Sequence, residues 1–201
     1  MASPEDPMTR RDAEILEADR GRHPDAPGGK ETKYARVERE RRFLLATVPI
    51  GTPVQRVLIE DRYLRDTRLR LRRMTELDGA APRVIYKLTQ KIPTATGSPG
   101  LITTMYLSAA EYASFAGLPA ATLRKVRSSF PPLGVDAFEG SLRGLILAEA
   151  EFEEAIEEKT FRPPAAAVAE VTNDVRFTGG RLVTLTTNEV TDLLVSFGIG
   201  R

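Results

Sequence analysis

The stretch that most constrains this chain is Val37–Leu45, which reads VERERRFLL. In a strand, alternate side chains point to opposite faces, so Glu38, Glu40 and Arg42 share one face while Phe43 lies on the other. A charged side chain is costly to bury unless it is paired or bound to a metal. This face is therefore either solvated, as on an edge strand, or lines a polar cavity.

The same pattern recurs along the chain, where further predicted strands carry ionisable residues on one face and largely apolar residues on the other. These residues are Arg68, Arg70 and Arg72; Lys87 and Lys91; Lys125 and Arg127; Asp136; and Glu149 and Glu151. An ordinary sandwich explains any one such strand, but it explains less well why acids and bases are segregated by strand. A closed antiparallel β-barrel in an α+β protein explains the set, with the charged faces around its lumen and flanking helices and loops outside.

A lumen of this kind would bind a strongly anionic ligand through its bases and a divalent metal through its acids. Arg and Lys are the usual phosphate-binding residues, and a metal ion can neutralise charge on phosphate oxygens. A polyphosphate together with Mg²⁺ or Mn²⁺ fits both halves of the pattern. The expected partner is therefore a phosphate-rich small molecule.

Composition limits the alternatives. The chain contains no Cys and a single His, His23, in a segment predicted to be disordered. Without Cys, thiol catalysis, thiolate zinc sites and disulfides are excluded. With one His in a tail, a Ser-His-Asp triad or a histidine metal cluster is nearly excluded. Any metal should be a hard cation held by carboxylates.

The chain has 201 residues and a formal net charge of +1, so total charge predicts no nucleic-acid or membrane partner. No apolar run is long enough to span a membrane and no signal-peptide pattern is present, so the cytoplasm is the expected location. Residues 1–33 are rich in Pro, Gly and charge, which predicts a disordered tail, with 12–19 as a candidate short helix. The folded domain is expected to comprise residues 34–201.

Two helices carry clear start signals. Ser108 and Glu111 have the spacing of a capping box, which predicts a helix over 108–117. Thr187 is the expected N-cap of a closing helix over 188–197. Besides the first strand, the pattern predicts strands over 54–63, 66–74, 83–91, 101–107, 122–130, 134–139, 144–153 and 170–177, and a helical segment over 153–159.

The pattern Glu38-x-Glu40-x-Arg42-Phe43-Leu44 resembles the ExExK signature of the CYTH, or triphosphate tunnel metalloenzyme, superfamily. The resemblance extends over about residues 37–185, and five motifs follow in the family's order. After the signature come an arginine strand (63–72), an LTxK strand (88–91), a KxR strand (124–127), an acidic pair of segments (136–140 and 144–151) and an EVT segment (170–174).

The resemblance implies an eight-stranded tunnel that hydrolyses or cyclises triphosphates. It places Glu38, Glu40 and Arg42 in the catalytic signature. It assigns metal binding to Glu38, Glu40, Asp136, Glu149 and Glu151. It assigns phosphate binding to Arg68, Arg70, Lys91, Lys125 and Arg127, and strand parity adds Arg72 and Lys87.

Two positions depart from the family pattern. Arg42 stands where the family has a Lys that is thought, in some members, to help activate water, and an Arg cannot act as a general base. Thr103 and Met105 occupy the place where many members have an R-x-E-x-E strand.

Three functions follow as hypotheses. The first is a metal-dependent triphosphatase that acts on inorganic triphosphate or on an organic or nucleoside triphosphate. The second is a non-catalytic polyphosphate- or nucleotide-binding module, which Arg42 favours. The third is a class IV-type adenylate cyclase, for which no nucleobase pocket can be recognised in the sequence.

Overall fold

The computed structural model describes residues 35–92 and 100–200. The predicted tail and its candidate helix over 12–19 lie outside these residues, so that prediction and the domain boundary stay predictions. The described part is an antiparallel sheet with flanking helices, as the α+β prediction requires. Within it, no helix is long and apolar enough to cross a membrane.

The strands lie close to the positions that the two-residue repeat predicts. The exceptions are the last predicted strand, described below, and the first strand, which Glu38 divides in two. The strands are β1 (Arg36–Val37), β2 (Arg39–Leu45), β3 (Gln55–Leu64), β4 (Leu69–Glu76), β5 (Val84–Ile92), β6 (Leu101–Leu107), β7 (Ala120–Phe130), β8 (Leu133–Phe138), β9 (Ile146–Phe152) and β10 (Ala167–Glu170).

These strands form one sheet in the order β1-β6-β5-β4-β3-β7-β8-β9-β2-β10, and all neighbours are antiparallel. The predicted closed eight-stranded barrel is not confirmed, because this order is open and contains ten strands among the described residues. Strand β1, at one end of the order, and β2, next to last at the other end, are nevertheless adjacent in sequence. Strand β1 pairs with β6, and β2, which begins one residue after Glu38, pairs with β9.

In the part of the chain that the structure describes, four helices flank the sheet: α1 (Ala109–Ala116), α2 (Ala155–Thr160), α3 (Gly179–Leu182) and α4 (Thr187–Ser196). The predicted capping box of α1 is confirmed. The backbone N–H of Ser108 donates to Glu111 Oε2 at 2.7 Å, and the Glu111 N–H donates to Ser108 Oγ at 3.3 Å. Helix α1 packs on β4, β5 and β6, with the rings of Tyr112 and Tyr86 4.5 Å apart.

The predicted N-cap of α4 is wrong by one residue. Thr186, not Thr187, caps the helix, since the Thr186 hydroxyl accepts from the backbone N–H of Glu189 and the Glu189 carboxylate accepts from that of Thr186. The reason is the T-x-x-E spacing of 186–189, which forms a second capping box.

The last predicted strand, over 170–177, is also misplaced. Strand β10 ends at Glu170, and Val175–Phe177 forms a 3₁₀ helix. Asp174 starts this helix, because its side chain accepts from the backbone N–H of Arg176 at 3.0 Å. A second 3₁₀ helix, Gly140–Leu142, follows β8.

The larger hydrophobic core lies on the same face of the strands as the predicted charges. Leu44 is two residues from Arg42, and Leu147 is two residues from Glu149, so each pair shares a face. Residues 171–199, which we call the C-terminal segment, cover this apolar continuation. The buried residues of this core are Leu44, Leu123, Phe138, Leu142, Leu145, Leu147, Val171, Phe177, Leu182, Val190, Leu193 and Leu194.

A smaller core lies on the opposite face, where Phe43, Leu45, Val135 and Ala148 pack together. Phe161, which follows α2, packs against this cluster, with its ring centroid 6.0 Å from that of Phe43. The sheet is therefore apolar on both faces at its β2–β9 side, and the charges occupy only part of one face.

Phe177 tests how far the C-terminal segment stabilises the fold. Its side chain is 1% exposed within the larger core. We expect Phe177→Ala to lower the free energy of unfolding by about 3–5 kcal/mol in urea denaturation, because a buried aromatic ring is removed and a cavity remains. Val175→Ala, in the same 3₁₀ helix but 72% exposed, should change it by less than about 0.5 kcal/mol. Equal effects of the two variants would contradict this assignment of the core.

Candidate functional site

One face of the sheet brings together most of the ionisable residues that the sequence singled out. Directly opposed residues on neighbouring strands share a face, and the register opposes Glu40 to Glu151, Arg42 to Glu149, Asp136 to Arg127, Asp61 to Arg72, and Arg72 to Lys87. We call this the charged face. Its charged residues in the strands that the sequence singled out, together with Asp61, are Glu40, Arg42, Asp61, Arg70, Arg72, Lys87, Lys91, Lys125, Arg127, Asp136, Glu149 and Glu151, with Glu38 between β1 and β2 in the same alternation. The register adds Arg36, opposite Ile102, and Glu76, opposite Val57.

Glu149 lies at the centre of the charged face, between two arginines. Arg42 Nε donates to Glu149 Oε1 at 3.1 Å, and the Arg127 guanidinium donates to Glu149 Oε2. Burial by itself would raise the pKa of the Glu149 carboxyl, but the charges of Lys125, Arg127 and Arg42 hold this pKa well below its usual range. Glu149 is therefore ionised and bound to bases on both sides.

Asp136 continues the chain of ion pairs. It is fully buried and accepts hydrogen bonds from Arg127 Nε at 2.7 Å and from Lys125 Nζ. Burial lowers the pKa of the Lys125 ammonium. Burial would also lower the pKa of the Arg127 guanidinium, but the charges of Asp136 and Glu149 outweigh it, so this pKa is raised. Asp136 thus holds two bases on β7 side by side.

Arg42 joins the signature strand to this network and to the C-terminal segment. Its guanidinium donates to Glu40 and Glu149, and to the backbone carbonyl of Phe177 at 3.3 Å. Burial opposes the charge of Arg42, but the two carboxylates outweigh it and raise its pKa. Arg42 therefore stays protonated and cannot accept a proton.

Glu40 has the opposite character. Burial, and then the neighbouring charge of Glu149, raise the pKa of its carboxyl, even though Arg42 and Lys91 act against this shift. It also lies directly opposite Glu151 on β9. The surroundings of Glu40 therefore make its carboxylate more basic.

Asp61 is a member of the site that the sequence analysis did not single out. It is 2% exposed and binds Arg72 through two hydrogen bonds of 2.6 and 2.7 Å, and Arg70 Nε lies 3.7 Å from Asp61 Oδ1. Burial would raise the pKa of this carboxyl, but Arg72 lowers it. The signal was present in the sequence, since Asp61 falls in the alternation of Val57 and Ile59, where an apolar residue is expected.

The ends of the network are more exposed. Lys91 Nζ lies 2.6 Å from Glu38 Oε1. Glu151 is exposed, and among the described residues no base pairs with it. Lys87 Nζ lies 4.9 Å from the ring centroid of Tyr106. Arg68 is exposed in the turn before β4, outside the strand that carries Arg70 and Arg72.

Two acids near the predicted site lie elsewhere. Glu170 binds Arg41 through two hydrogen bonds of 2.8 and 2.6 Å. Arg41 neighbours Arg42 in β2 and therefore points to the opposite face. Glu153 is exposed beyond the end of β9.

The residues of β6 on the charged face are not the two that the sequence analysis named, Thr103 and Met105. The register pairs Lys91 with Ile102, Thr89 with Thr104, and Lys87 with Tyr106, so these three residues of β6 share the charged face. Thr103 and Met105 lie on the other face. Strand β6 therefore adds no charge to the site.

The acids do not form a ready-made metal cage. Within residues 35–92 and 100–200, no three acidic side chains are grouped so that they could hold a metal ion as they stand. Arg42 lies between Glu40 and Glu149, and Arg127 lies between Glu149 and Asp136. Each buried charge is compensated within the protein, as the cost of an unpaired buried ion requires.

Comparison with known proteins gives structural similarity only. No protein-family model matches the sequence, and no curated protein matches it. Two crystal structures of NE1496, described as a hypothetical protein and as an inorganic triphosphatase, are similar to this chain with a TM-score of 0.48 each, at 24% and 23% identity. They match 74% of this chain and 99% and 95% of their own.

A conserved hypothetical protein from Pyrococcus furiosus is similar at 16% identity and a TM-score of 0.40, over 82% of this chain and 92% of its own. With TM-scores of 0.48 or less, these similarities do not identify what the charged face binds.

Asp61→Asn tests whether the buried acid holds the arginine strand. At pH 7 we expect a loss of about 3–5 kcal/mol in the free energy of unfolding, because Arg72 would stay buried without its counter-charge. The folded-state pKa of Asp61 is lowered, so its stabilisation is present above its unfolded pKa of about 3.9 and is lost as the pH falls through the folded value.

The difference between the wild type and Asp61→Asn should therefore shrink below about pH 4 in urea denaturation. Glu60→Gln is the control, since Glu60 lies on the opposite face in a half-exposed pair with Arg73 and should cost less than about 1 kcal/mol. A difference for Asp61→Asn that does not change with pH would contradict the ion-pair account.

Proposed function

We propose that the charged face binds a triphosphate and, with Mg²⁺ or Mn²⁺, hydrolyses one of its phosphoanhydride bonds. In this reaction the oxygen of a water molecule bonds to phosphorus, the bond from that phosphorus to the bridging oxygen breaks, and the water loses a proton. The observation that carries the proposal is the set of bases gathered on one face from β2, β4, β5 and β7: Arg42, Arg70, Arg72, Lys87, Lys91, Lys125 and Arg127.

Phosphate binding would exchange partners within the network. Arginine forms the same paired hydrogen bonds with phosphate as Arg72 now forms with Asp61 and Arg127 with Asp136. When a base turns to phosphate, its carboxylate loses a counter-charge. A divalent cation would restore the balance, so the mixture of acids and bases suits an anion and a cation that bind together.

The donor chemistry supports a hard cation. All candidate ligands are carboxylates, which suit Mg²⁺ and Mn²⁺. Glu40, Glu149 and Glu151 are the neighbouring set that would hold the ion, with Glu38 and Asp136 beside them. Glu149 and Asp136 are each held by two bases, which would turn to phosphate when the ion binds. When bound, such an ion neutralises charge on phosphate oxygens and lowers the pKa of a bound water.

The side chains of the charged face would bind the substrate, offset its charge and accept the proton of the attacking water. The arginines and lysines would orient the triphosphate and offset the charge that develops as the bridging bond breaks. Arg42 would bind phosphate and cannot accept a proton. Glu40 would take the proton of the attacking water through a carboxylate oxygen that does not hold the cation.

We also propose that the sheet closes into the eight-stranded tunnel that the CYTH resemblance implies. The support is the segment Arg36–Leu45, whose first part pairs with β6 and whose second part pairs with β9. The backbone N–H of Glu38, between them, donates to the carbonyl of Gly100 at 2.9 Å. One continuous segment thus links both sides of the sheet, with β10 added outside the ring.

A non-catalytic polyphosphate-binding module is the second candidate. One observation favours it: Arg42, at the position of the family lysine, is fixed by Glu40, Glu149 and the carbonyl of Phe177. A protein of this kind would bind triphosphate through the same bases without turnover.

Phosphate release separates these functions. The full chain is incubated with inorganic triphosphate or ATP in EDTA, Mg²⁺ or Mn²⁺, and phosphate and pyrophosphate are measured together with the thermal unfolding temperature. We expect metal-dependent release of phosphate. Stabilisation by triphosphate without release would overturn hydrolysis in favour of the binding module, and pyrophosphate with cyclic AMP from ATP would indicate a cyclase.

Glu151→Gln tests the metal assignment with little risk to the fold, because Glu151 is exposed and opposes another acid. We expect a loss of at least about tenfold in metal-dependent turnover and an unchanged unfolding temperature, since the variant removes one carboxylate from the set that would hold the cation. Glu153→Gln, two residues further along and outside β9, should retain activity. Unchanged turnover in Glu151→Gln would remove Glu151 from the metal set.

Arg42→Lys tests the departure from the family signature. A lysine would preserve a positive charge but could lose a proton when desolvated. We expect faster phosphate release if lysine chemistry is what the site lacks, with the gain largest at high pH. An unchanged rate would mean that a group other than residue 42 accepts the proton from water. That is the role proposed for Glu40.

A further inference from the structure

Lys87, on the inner strand β5, differs from most other bases of the charged face; only the exposed Arg36 of β1 also lacks an ion-pair partner among the described residues. Arg42, Arg70, Arg72, Lys91, Lys125 and Arg127 each have a carboxylate within ion-pair distance. In the part of the chain that the structure describes, no carboxylate pairs with Lys87, whose ammonium instead lies over the ring of Tyr106. Lys87 could therefore take a phosphate group without breaking an existing ion pair.

Tyr106 is unusual for its position. Its side chain lies on the charged face, directly opposite Lys87, yet it is 71% exposed. Its neighbours on the same face of β6 are Ile102 and Thr104, which are uncharged. On β6 itself, the charged face therefore carries an open aromatic ring and no charge.

Register joins this ring to the phosphate-binding bases. Tyr106, Lys87 and Arg72 are opposed in one row across β6, β5 and β4. Neighbouring strands are about 4.8 Å apart, so the row places Tyr106 about 10 Å from the Arg72 strand. A ligand that spans the row would meet two cations at one end and an aromatic surface at the other.

We propose that Tyr106 and Lys87 form a subsite for the organic part of the substrate, in which a planar base stacks on Tyr106 and the phosphate nearest to it contacts Lys87. This rests on the proposed function of the charged face and narrows its substrate to a nucleoside triphosphate. Stacking on an exposed aromatic ring is a common way to bind nucleobases. Inorganic triphosphate would use the same bases and leave Tyr106 uncovered.

Binding of ATP and of methyl triphosphate tests the proposal, because the two esters carry similar charge and differ in the base and sugar. Affinities are measured by calorimetric titration of the full chain in Mg²⁺ buffer, for the wild type and for Tyr106→Phe, Tyr106→Ala and Met105→Ala. Met105 is the matched control, an exposed residue of the same strand on the opposite face.

We expect the wild type to bind ATP more tightly than methyl triphosphate. Tyr106→Ala should weaken ATP binding about tenfold or more and leave methyl triphosphate within about twofold. Tyr106→Phe, which keeps the ring, and Met105→Ala should leave both affinities unchanged.

Two outcomes would overturn the proposal in distinguishable ways. If the wild type binds both esters but Tyr106→Ala weakens them equally or not at all, the subsite is wrong while the proposed function stands. If the wild type binds neither ester, nor inorganic triphosphate, the proposed function fails and the subsite fails with it.

Discussion

The position of Glu149 between Arg42 and Arg127 is the interaction on which the rest of the site depends. A strand face with this many charges can be buried only if every charge has a partner, since an isolated buried ion costs several kcal/mol. Glu149 joins the signature strand β2 to Asp136 and its two bases on β7. Asp61 is likewise the counter-charge of Arg70 and Arg72 on β4. The buried charges of this face are therefore compensated within the protein before any ligand binds.

The apolar part of the same face explains how the charges stay in register. The C-terminal segment covers Leu44 and Leu147, the residues that continue the alternation of Arg42 and Glu149. It also reaches the ionic network directly, because the carbonyl of Phe177 accepts from Arg42. Packing and electrostatics thus meet at one arginine. A substitution in this core is expected to disturb ligand binding through Arg42 as well as the stability of the fold.

The two-residue repeat predicted most strands and their charged face because side-chain direction in a strand depends only on parity. It could not predict ion-pair partners, since these depend on the register between strands. Asp61 was missed because it is a single acid among apolar residues of the same face, Val57 and Ile59. Its partner Arg72 becomes apparent only when β4 is paired with β3. The 3₁₀ helix at Val175–Phe177 replaced a predicted strand because the local bond from Arg176 to Asp174 competes with sheet pairing. Closure of the sheet into a barrel would depend on β1 and β2 pairing with different strands, which no local pattern specifies.

The central claim is that several bases of one face bind one phosphate chain together. Its most direct test is a calorimetric titration of the full chain with inorganic phosphate, pyrophosphate and triphosphate at one Mg²⁺ concentration and ionic strength. If the bases act together, the affinity should rise steeply with each added phosphate. Triphosphate should bind with a stoichiometry of one per chain. Similar weak affinities for all three anions would mean that the charged face is only a structural ion-pair network, and would contradict the account.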